Sequence, residues 1–275
     1  VATVPRAGAG SLLRPLVPAG RVWLHAVLVS DVRGDGATAI CCCARTLAEG
    51  YGPALQPGAV WSLGFASAPW VLLLAGVERA GLSMVLVAKA LGLALTLVAL
   101  YLLPRVSRAL AGRGRLAWVD LLPPLLLAVN PAVARAAVGG QETGLTLALL
   151  TATLWLFVRE ERRLEVGARP RDLWSALPLC LLLFNRPEAP VWFLALAVWR
   201  IMARVSARRL SLTTVAWMVL PPLVYVGQLL GAYALFAEPL SGLITARPAL
   251  VETTPGHPAA VALGWRSLAA LCPPR

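Results

Sequence analysis

The sequence predicts an all-α fold, a polytopic transmembrane helix bundle, and three observations support this prediction. Hydrophobic residues make up 59% of the 275 residues and charged residues only 14%, whereas an average soluble domain has about 25% charged residues. The mean hydropathy is +0.74. Several apolar stretches approach the length of about 20 residues that a helix needs to cross a bilayer. These values exclude a disordered chain, a coiled coil and an ordinary soluble enzyme.

The apolar stretches define a single multi-pass membrane domain over residues 1–275. We expect a weak first helix at 16–30, an outer loop with surface helices at 31–81, a transmembrane core at 82–236, an outer loop at 237–258 and the start of a further, truncated helix at 259–275. The core helices are predicted at 82–103, 116–130, 143–158, 173–184, 189–202 and 210–236. Because the sequence starts at Val1 and ends at Pro-Pro-Arg, we expect it to be a fragment of a longer chain.

The placement of arginine orients the predicted helices. Thirteen arginines lie in the connections 104–115, 159–171 and 200–209, and an excess of Lys and Arg is typical of cytoplasmic loops. The connections expected outside are 131–142, 185–188 and 237–258. The net charge of +12 is then a topology signal beside anionic lipid, and no nucleic-acid partner is expected. The predicted location is the cell inner (plasma) membrane.

The apolar stretch 66–77 requires a separate interpretation. It lies between the loop 31–59 and the predicted helix 82–103, and it is short for a membrane span. If it crossed the bilayer, the loop before it would be cytoplasmic. We expect instead that it lies along the outer membrane surface or is re-entrant, which leaves 31–59 outside.

Three acidic residues lie on the predicted outer side where apolar segments begin or end. They are Asp35, Glu142 and Glu188. Ionisable groups near membrane depth are costly and usually functional or paired. Structural alternatives remain open. Glu142 fits the first turn of a helix, Glu188 fits a pair with Arg186 in a turn, and Asp35 between two glycines fits an ordinary turn.

The common motifs of soluble enzymes do not occur in the sequence. Three of the five cysteines are consecutive, at 41–43, which gives no CxxC spacing for a metal or redox site. The histidines His25 and His257 are far apart, and no P-loop, dinucleotide-binding or nucleophile-elbow motif is present. No metal ligand set is therefore predicted.

Four outer segments, in chain order, resemble a known family. Residues 35–52 (DGATAICCCARTLAEGYG) resemble the first outer loop of bacterial polyprenyl-phosphate-sugar glycosyltransferases of the GT-C type. That loop reads roughly Asp-Asp-Ala, a short helix, then Ala-Arg-Asn-Leu-Ala-Glu-Gly-His-Gly. Residues 67–70 are similar to the family's Ser-Pro-Leu-Trp, residues 140–143 to its Gly-Leu-Glu-Thr, and residues 185–189 to its Thr-Arg-Pro-Glu-Gly.

The resemblance covers roughly residues 30–200 and is closest to the branch of arabinofuranosyltransferases and mannosyltransferases of actinobacterial envelopes. The sequence departs from the family pattern at Gly36, where the family has a second acidic residue. Residues 239–247 are only weakly similar to the family's Pro-Asn-Thr-x-Tyr-Ala-Lys. Members of the family are also longer than this chain.

The resemblance implies an inverting transfer on the extracytoplasmic side. A polyprenyl-phosphate sugar is the implied donor, and the hydroxyl of an envelope glycan, lipid or protein is the implied acceptor. The attacking hydroxyl must lose a proton, so a carboxylate base is required, and Asp35 is the predicted catalytic residue. The leaving phosphate needs a cation, and Arg186 is its predicted ligand.

Four further residues complete the predicted substrate site. Arg45 and Arg247 are additional candidates for binding the phosphate. Glu142 and Glu188 are expected to orient the acceptor, to hold Arg186 or to help bind a divalent cation, which prefers oxygen ligands.

Two other functions remain open from the sequence. A transporter or lipid flippase also uses broken helices with polar ends, although no inverted repeat is evident in this sequence. A degenerate, noncatalytic homologue of the glycosyltransferases is the second alternative, because only one of the two family acids is kept at Asp35.

Overall fold

The computed structural model describes residues 35–54, 67–165, 173–206 and 211–236. Within these ranges all regular elements are helices, which confirms the predicted all-α class. The predicted first helix at 16–30, the loop at 237–258 and the closing segment at 259–275 lie outside the described residues.

Nine α-helices occur in the described ranges. They are α1 Asp35–Ala48, α2 Ala68–Arg79, α3 Met84–Leu110, α4 Leu122–Val129, α5 Pro131–Val138, α6 Thr143–Glu165, α7 Ala176–Asn185, α8 Ala189–Ser206 and α9 Leu212–Phe236. A short 3-10 helix, Trp118–Leu121, precedes α4.

Two of the described helices are long and apolar enough to cross a membrane: α3, and residues Leu212–Gly231 of α9. At a rise of about 1.5 Å per residue, α3 is about 40 Å long, which exceeds the thickness of a bilayer core. Trp118–Val129 and Pro131–Val138 add a third span if the bent pair is counted as one. These helices support membrane association at the coarse level that the sequence predicted.

The predicted span 116–130 is shorter than expected and changes direction. It consists of the 3-10 helix and α4, and α5 then continues at an angle of 66°. The bend has a local cause, because a residue that precedes proline disfavours helical geometry. Asn130, which precedes Pro131, is extended, and its side-chain oxygen accepts a hydrogen bond from the Ala132 amide at 2.9 Å. The new helix is thereby capped in its new direction.

The helices extend further into the arginine-rich connections than predicted. α3 continues through Pro104, α6 ends at Glu165 and α8 ends at Ser206. Arginines occupy the last turn of each of these helices, where a cation interacts favourably with the helix dipole. Part of the positive charge that the sequence analysis assigned to connections therefore lies in helices.

Helices α3 and α6 form the central pair and run parallel, and glycines set their close approach. A Cβ atom on Gly144 would lie 2.5 Å from the Gly92 carbonyl oxygen. Towards the other end of the pair, Arg162 donates to the Leu110 carbonyl at 3.1 Å. Small residues at a helix interface allow backbones to approach closely. The glycine contact therefore fixes the start of α6, where the candidate site lies.

Replacement of Gly144 by Ala is expected to destabilise the fold by about 1–3 kcal/mol, because the added methyl group must displace the Gly92 backbone. The measurement is the midpoint of thermal unfolding of the purified protein in detergent. Gly227→Ala is the matched control, since a Cβ at this position in α9 meets nothing within 4 Å. Equal midpoints for Gly144→Ala and Gly227→Ala would contradict the close contact.

Candidate functional site

Polar residues from three distant parts of the chain meet where α6 begins and α7 ends. We call this group the Arg186 cluster. Its members are Ser67, Glu142, Thr146, Asn185, Arg186 and Glu188.

A chain of hydrogen bonds joins the three segments of the Arg186 cluster. The Ser67 hydroxyl donates to the side-chain oxygen of Asn185, and the Asn185 amide nitrogen donates to the Thr146 hydroxyl at 2.8 Å. The Thr146 hydroxyl in turn donates to the Glu142 carbonyl at 3.1 Å. Ser67 also caps α2, where it accepts from the Trp70 amide at 3.2 Å. The chain therefore holds the starts of α2 and α6 against the end of α7.

Arg186 is held on three sides. Its Nη2 lies 3.2 Å from a Glu142 carboxylate oxygen and its Nη1 lies 3.5 Å from a Glu188 oxygen. Its Nε donates to the Thr146 hydroxyl at 3.3 Å. The Arg186 side chain is 19% exposed, so most of it is shielded from water. The sequence left open that Arg186 pairs only with Glu188 in a turn. The structure adds a second ionic partner, Glu142, which immediately precedes α6.

The break between α7 and α8 is supported by α9. Gln228 donates to the Phe184 carbonyl at 3.2 Å, and the Tyr225 hydroxyl donates to the Pro187 carbonyl at 3.4 Å. The last carbonyls of a helix have no partner within the helix. One of these bonds satisfies a carbonyl in the last turn of α7 and the other a carbonyl in the break, so α9 supports the backbone on both sides of Arg186.

The beginning of α1 lies beside the turn that leads into α6. Gly140 has a φ of 78°, and a Cβ built on it would lie 3.8 Å from the Ala37 Cβ. The carbonyl of Gly140 accepts from the Trp70 indole nitrogen at 3.1 Å. Asp35 begins α1, about 3 Å of helix rise before Ala37. The backbone of the predicted base therefore lies near the turn that carries Glu142.

The other two predicted substrate ligands lie apart from the Arg186 cluster or outside the described residues. Arg45 forms an ion pair with Glu78 of α2 at 3.3 Å. It lies ten residues after Asp35, which is about 15 Å along α1. In the described contacts Arg45 therefore joins α1 to α2, and its predicted role in binding the phosphate remains a prediction. Arg247 lies outside the described residues.

A second charged cluster, which the sequence analysis missed, lies near the far end of α6. Arg200 is fully buried and its Nη2 lies 2.7 Å from a Glu160 oxygen, while its Nε lies 3.0 Å from a Glu161 oxygen. Arg204 pairs with Glu161 at 3.2 Å. The Ser175 hydroxyl donates to Glu160 at 2.6 Å. The two glutamates and two arginines were expected in cytoplasmic connections, but together with Ser175 they join α6, α8 and the start of α7.

Rings enclose the Arg200 guanidinium. Its central carbon lies 4.3 Å from the Trp217 ring centre and 4.5 Å from the Phe157 ring centre. The signal for this cluster was the spacing of Arg200 and Arg204, four residues apart on one helical face. Both arginines lie in the predicted connection 200–209, whose positive charge was interpreted only as a topology signal.

The two clusters stand at opposite ends of α6. Glu142 and Glu160 are separated by eighteen residues, which is about 27 Å of helix. This distance is close to the roughly 30 Å thickness of a bilayer core. The two clusters are therefore well separated, and the sidedness expected from the arginine distribution remains a prediction.

The Arg186 cluster is suited to bind an oxyanion. A guanidinium has five donors in a planar fork that suits phosphate oxygens, and three of its directions are used by Glu142, Glu188 and Thr146. Among the residues that the structure describes, no group of three or more His, Cys, Asp or Glu side chains is placed to hold a metal ion.

No protein-family model, curated protein or solved structure matches this chain.

Proposed function

We propose that this protein is a membrane glycosyltransferase that moves a sugar from a polyprenyl-phosphate donor to an acceptor hydroxyl on the extracytoplasmic side, with inversion at the anomeric carbon. The observation that carries the proposal is the two ion pairs of Arg186, with Glu142 and with Glu188, near the start of α1. These contacts unite the segments on which the family resemblance rests. Separate motifs of one active site are expected to meet in this way.

The reaction is a direct displacement. The acceptor oxygen forms a bond to the anomeric carbon, and the bond from that carbon to the phosphate oxygen breaks with its electron pair on the phosphate. The acceptor proton passes to the carboxylate of Asp35, which acts as the general base. An attack opposite the leaving group inverts the configuration of the sugar.

Arg186 stabilises the charge that develops on the leaving phosphate. A fixed donor aimed at developing charge stabilises the transition state more than a mobile donor, because it needs no reorganisation. The contacts with Thr146 and Glu142 provide this fixation. Arginine suits the role because its charge persists at any physiological pH.

The surface next to Arg186 suits a lipid-linked donor. Helix α8 begins one residue after Glu188, and its apolar side chains Val191, Leu194 and Val198 are all more than half exposed. Such a face borders the hydrocarbon of a bilayer, where a polyprenyl chain also resides. A phosphate bound at Arg186 would therefore be continuous with the apolar path of its own lipid.

Replacement of Arg186 by Gln tests this proposal. Transfer of labelled arabinose or mannose from the corresponding polyprenyl phosphates is expected to fall about 10²–10³-fold, as for the loss of one donor to developing charge. Arg186→Lys keeps the charge but lacks the planar fork, so its activity is expected between those of the wild type and Arg186→Gln. The measurement is the initial rate in membranes, normalised to folded protein.

Arg113→Gln is the matched control. This substitution also removes an arginine that pairs with a buried carboxylate, since Arg113 lies 2.7 Å from Asp120. Arg113 follows the end of α3, at the opposite end of the bundle from Arg186. Normal transfer by Arg186→Gln would show that Arg186 does not act in the transfer reaction. The absence of transfer by the wild type from either donor would favour the transporter or the noncatalytic homologue.

A further inference from the structure

The two carboxylates that hold Arg186 differ in their exposure. The Glu142 side chain is 12% exposed and the Glu188 side chain is 59% exposed. Glu142 also lies closer to the guanidinium, at 3.2 Å against 3.5 Å. If Glu142 left, a carboxylate would remain in a shielded position without its cation, which is strongly unfavourable. If Glu188 left, water would solvate its carboxylate.

The charge of the group also favours the departure of Glu188 when an anion binds. Arg186 with Glu142 and Glu188 carries a net charge of one negative unit. A phosphate that bound without displacing either carboxylate would bring the net charge of the group to two or more negative units, in a place largely shielded from water. An exchange of the Glu188 carboxylate for the phosphate leaves Arg186 between one buried carboxylate and one phosphate, with Glu188 in solvent.

We propose that Glu188 occupies the phosphate position on Arg186 in the free protein and is displaced when a prenyl phosphate binds. Glu188 thus lowers the affinity for the phosphate and acts as a placeholder, whereas Glu142 remains in place and orients the guanidinium. This inference rests on the proposed function for the nature of the donor, but it concerns a binding step that is measured without sugar transfer.

The consequence has an unusual sign, because removal of an active-site charge improves binding. Glu188→Gln is expected to bind farnesyl phosphate about two- to fivefold more tightly than the wild type, as expected for the release of one exposed ion pair. Glu142→Gln is expected to bind it more weakly, since the guanidinium loses its fixed support. The full chain in lipid nanodiscs is titrated with farnesyl phosphate, and the dissociation constants are measured by calorimetry.

Two controls separate competition at Arg186 from a general effect of charge. Glu49→Gln removes the same charge from an exposed residue that follows the end of α1, about 20 Å along that helix from Asp35, and is expected to leave the affinity unchanged. In the Arg186→Gln background, a further Glu188→Gln change is expected to produce no gain in affinity, because the guanidinium for which Glu188 and the phosphate compete is missing.

The outcomes are distinguishable from those of the transfer assay. Tighter binding by Glu188→Gln supports the placeholder even if the wild type transfers no sugar, in which case the proposed function fails alone. Unchanged or weaker binding overturns the placeholder even if transfer is observed. Three further results would overturn the placeholder. They are an equal gain in affinity in Glu49→Gln, a gain from Glu188→Gln that persists in the Arg186→Gln background, and the failure of every variant to bind farnesyl phosphate.

Discussion

Replacement of Asp35 by Asn is expected to lower sugar transfer by about 10²–10⁴-fold, the range for the loss of a general base. The amide is similar in size and polarity but cannot accept the proton of the acceptor hydroxyl. Because Asp35 begins α1 and asparagine is also favoured at helix starts, the variant is expected to fold. Initial transfer rates from labelled polyprenyl-phosphate arabinose and mannose, with equal protein in the membrane, measure the effect.

The control for Asp35→Asn is Glu49→Gln, which removes an exposed acid beyond the other end of the same helix and is expected to retain full transfer. A binding measurement distinguishes a general base from a residue that binds the donor. If Asp35 is the base, the affinity of Asp35→Asn for farnesyl phosphate is expected to stay within about twofold of the wild type, a difference well below 1 kcal/mol. Full transfer by Asp35→Asn would keep the enzyme but assign the base to another acidic residue of the predicted outer side, such as Glu142.

Replacement of Arg200 by Leu is expected to destabilise the protein by about 3–5 kcal/mol, the cost of leaving a buried charge without its partner. Glu160 and Glu161 would lose their shared cation, and the two rings that flank the guanidinium would lose its contact. The measurement is the free energy of unfolding in detergent, or the thermal midpoint where unfolding is irreversible.

A second substitution tests the cause of that loss. Glu160→Gln in the Arg200→Leu background removes one uncompensated carboxylate, so part of the stability is expected to return. If the double variant is no more stable than Arg200→Leu, the loss reflects packing around the rings rather than the unpaired charge. Transfer per folded molecule is expected to remain unchanged in both variants, because Arg200 lies near the other end of α6.

The convergence at Arg186 was predictable from the sequence in outline. Membrane helices begin and end at two levels only, so polar residues at helix ends on one side are confined to a thin layer. Glu142 and Glu188 were assigned to one layer on this ground, together with the break at Arg186. The structure brings these three residues into contact.

The partners within that layer were not predictable. Nothing in the sequence distinguishes the shielded Glu142 from the exposed Glu188, because exposure depends on how α6, α7 and α9 pack. Ser67 and Thr146 were missed as well, since hydroxyls in apolar segments are common and gain meaning only from their neighbours. Their partner Asn185 was recognised only as part of a motif.

The buried cluster at Arg200 was missed for a different reason. Arginines near the ends of apolar stretches were counted as loop charges that orient the chain. Helix α8 continues past Arg204, and two acidic residues on α6 neutralise these arginines. Side-chain pairing between helices extends a helix beyond its apolar stretch, and a search of single segments does not reveal such pairing.

The most direct test of the central claim is sugar transfer in sealed vesicles of opposite orientation that contain the wild-type protein. Labelled polyprenyl-phosphate arabinose or mannose is supplied with the acceptor on the outside of the vesicle, and the anomeric configuration of the product is determined. The account predicts transfer in right-side-out vesicles, with inversion. Retention of configuration, transfer confined to inside-out vesicles, or no transfer from either donor would contradict it.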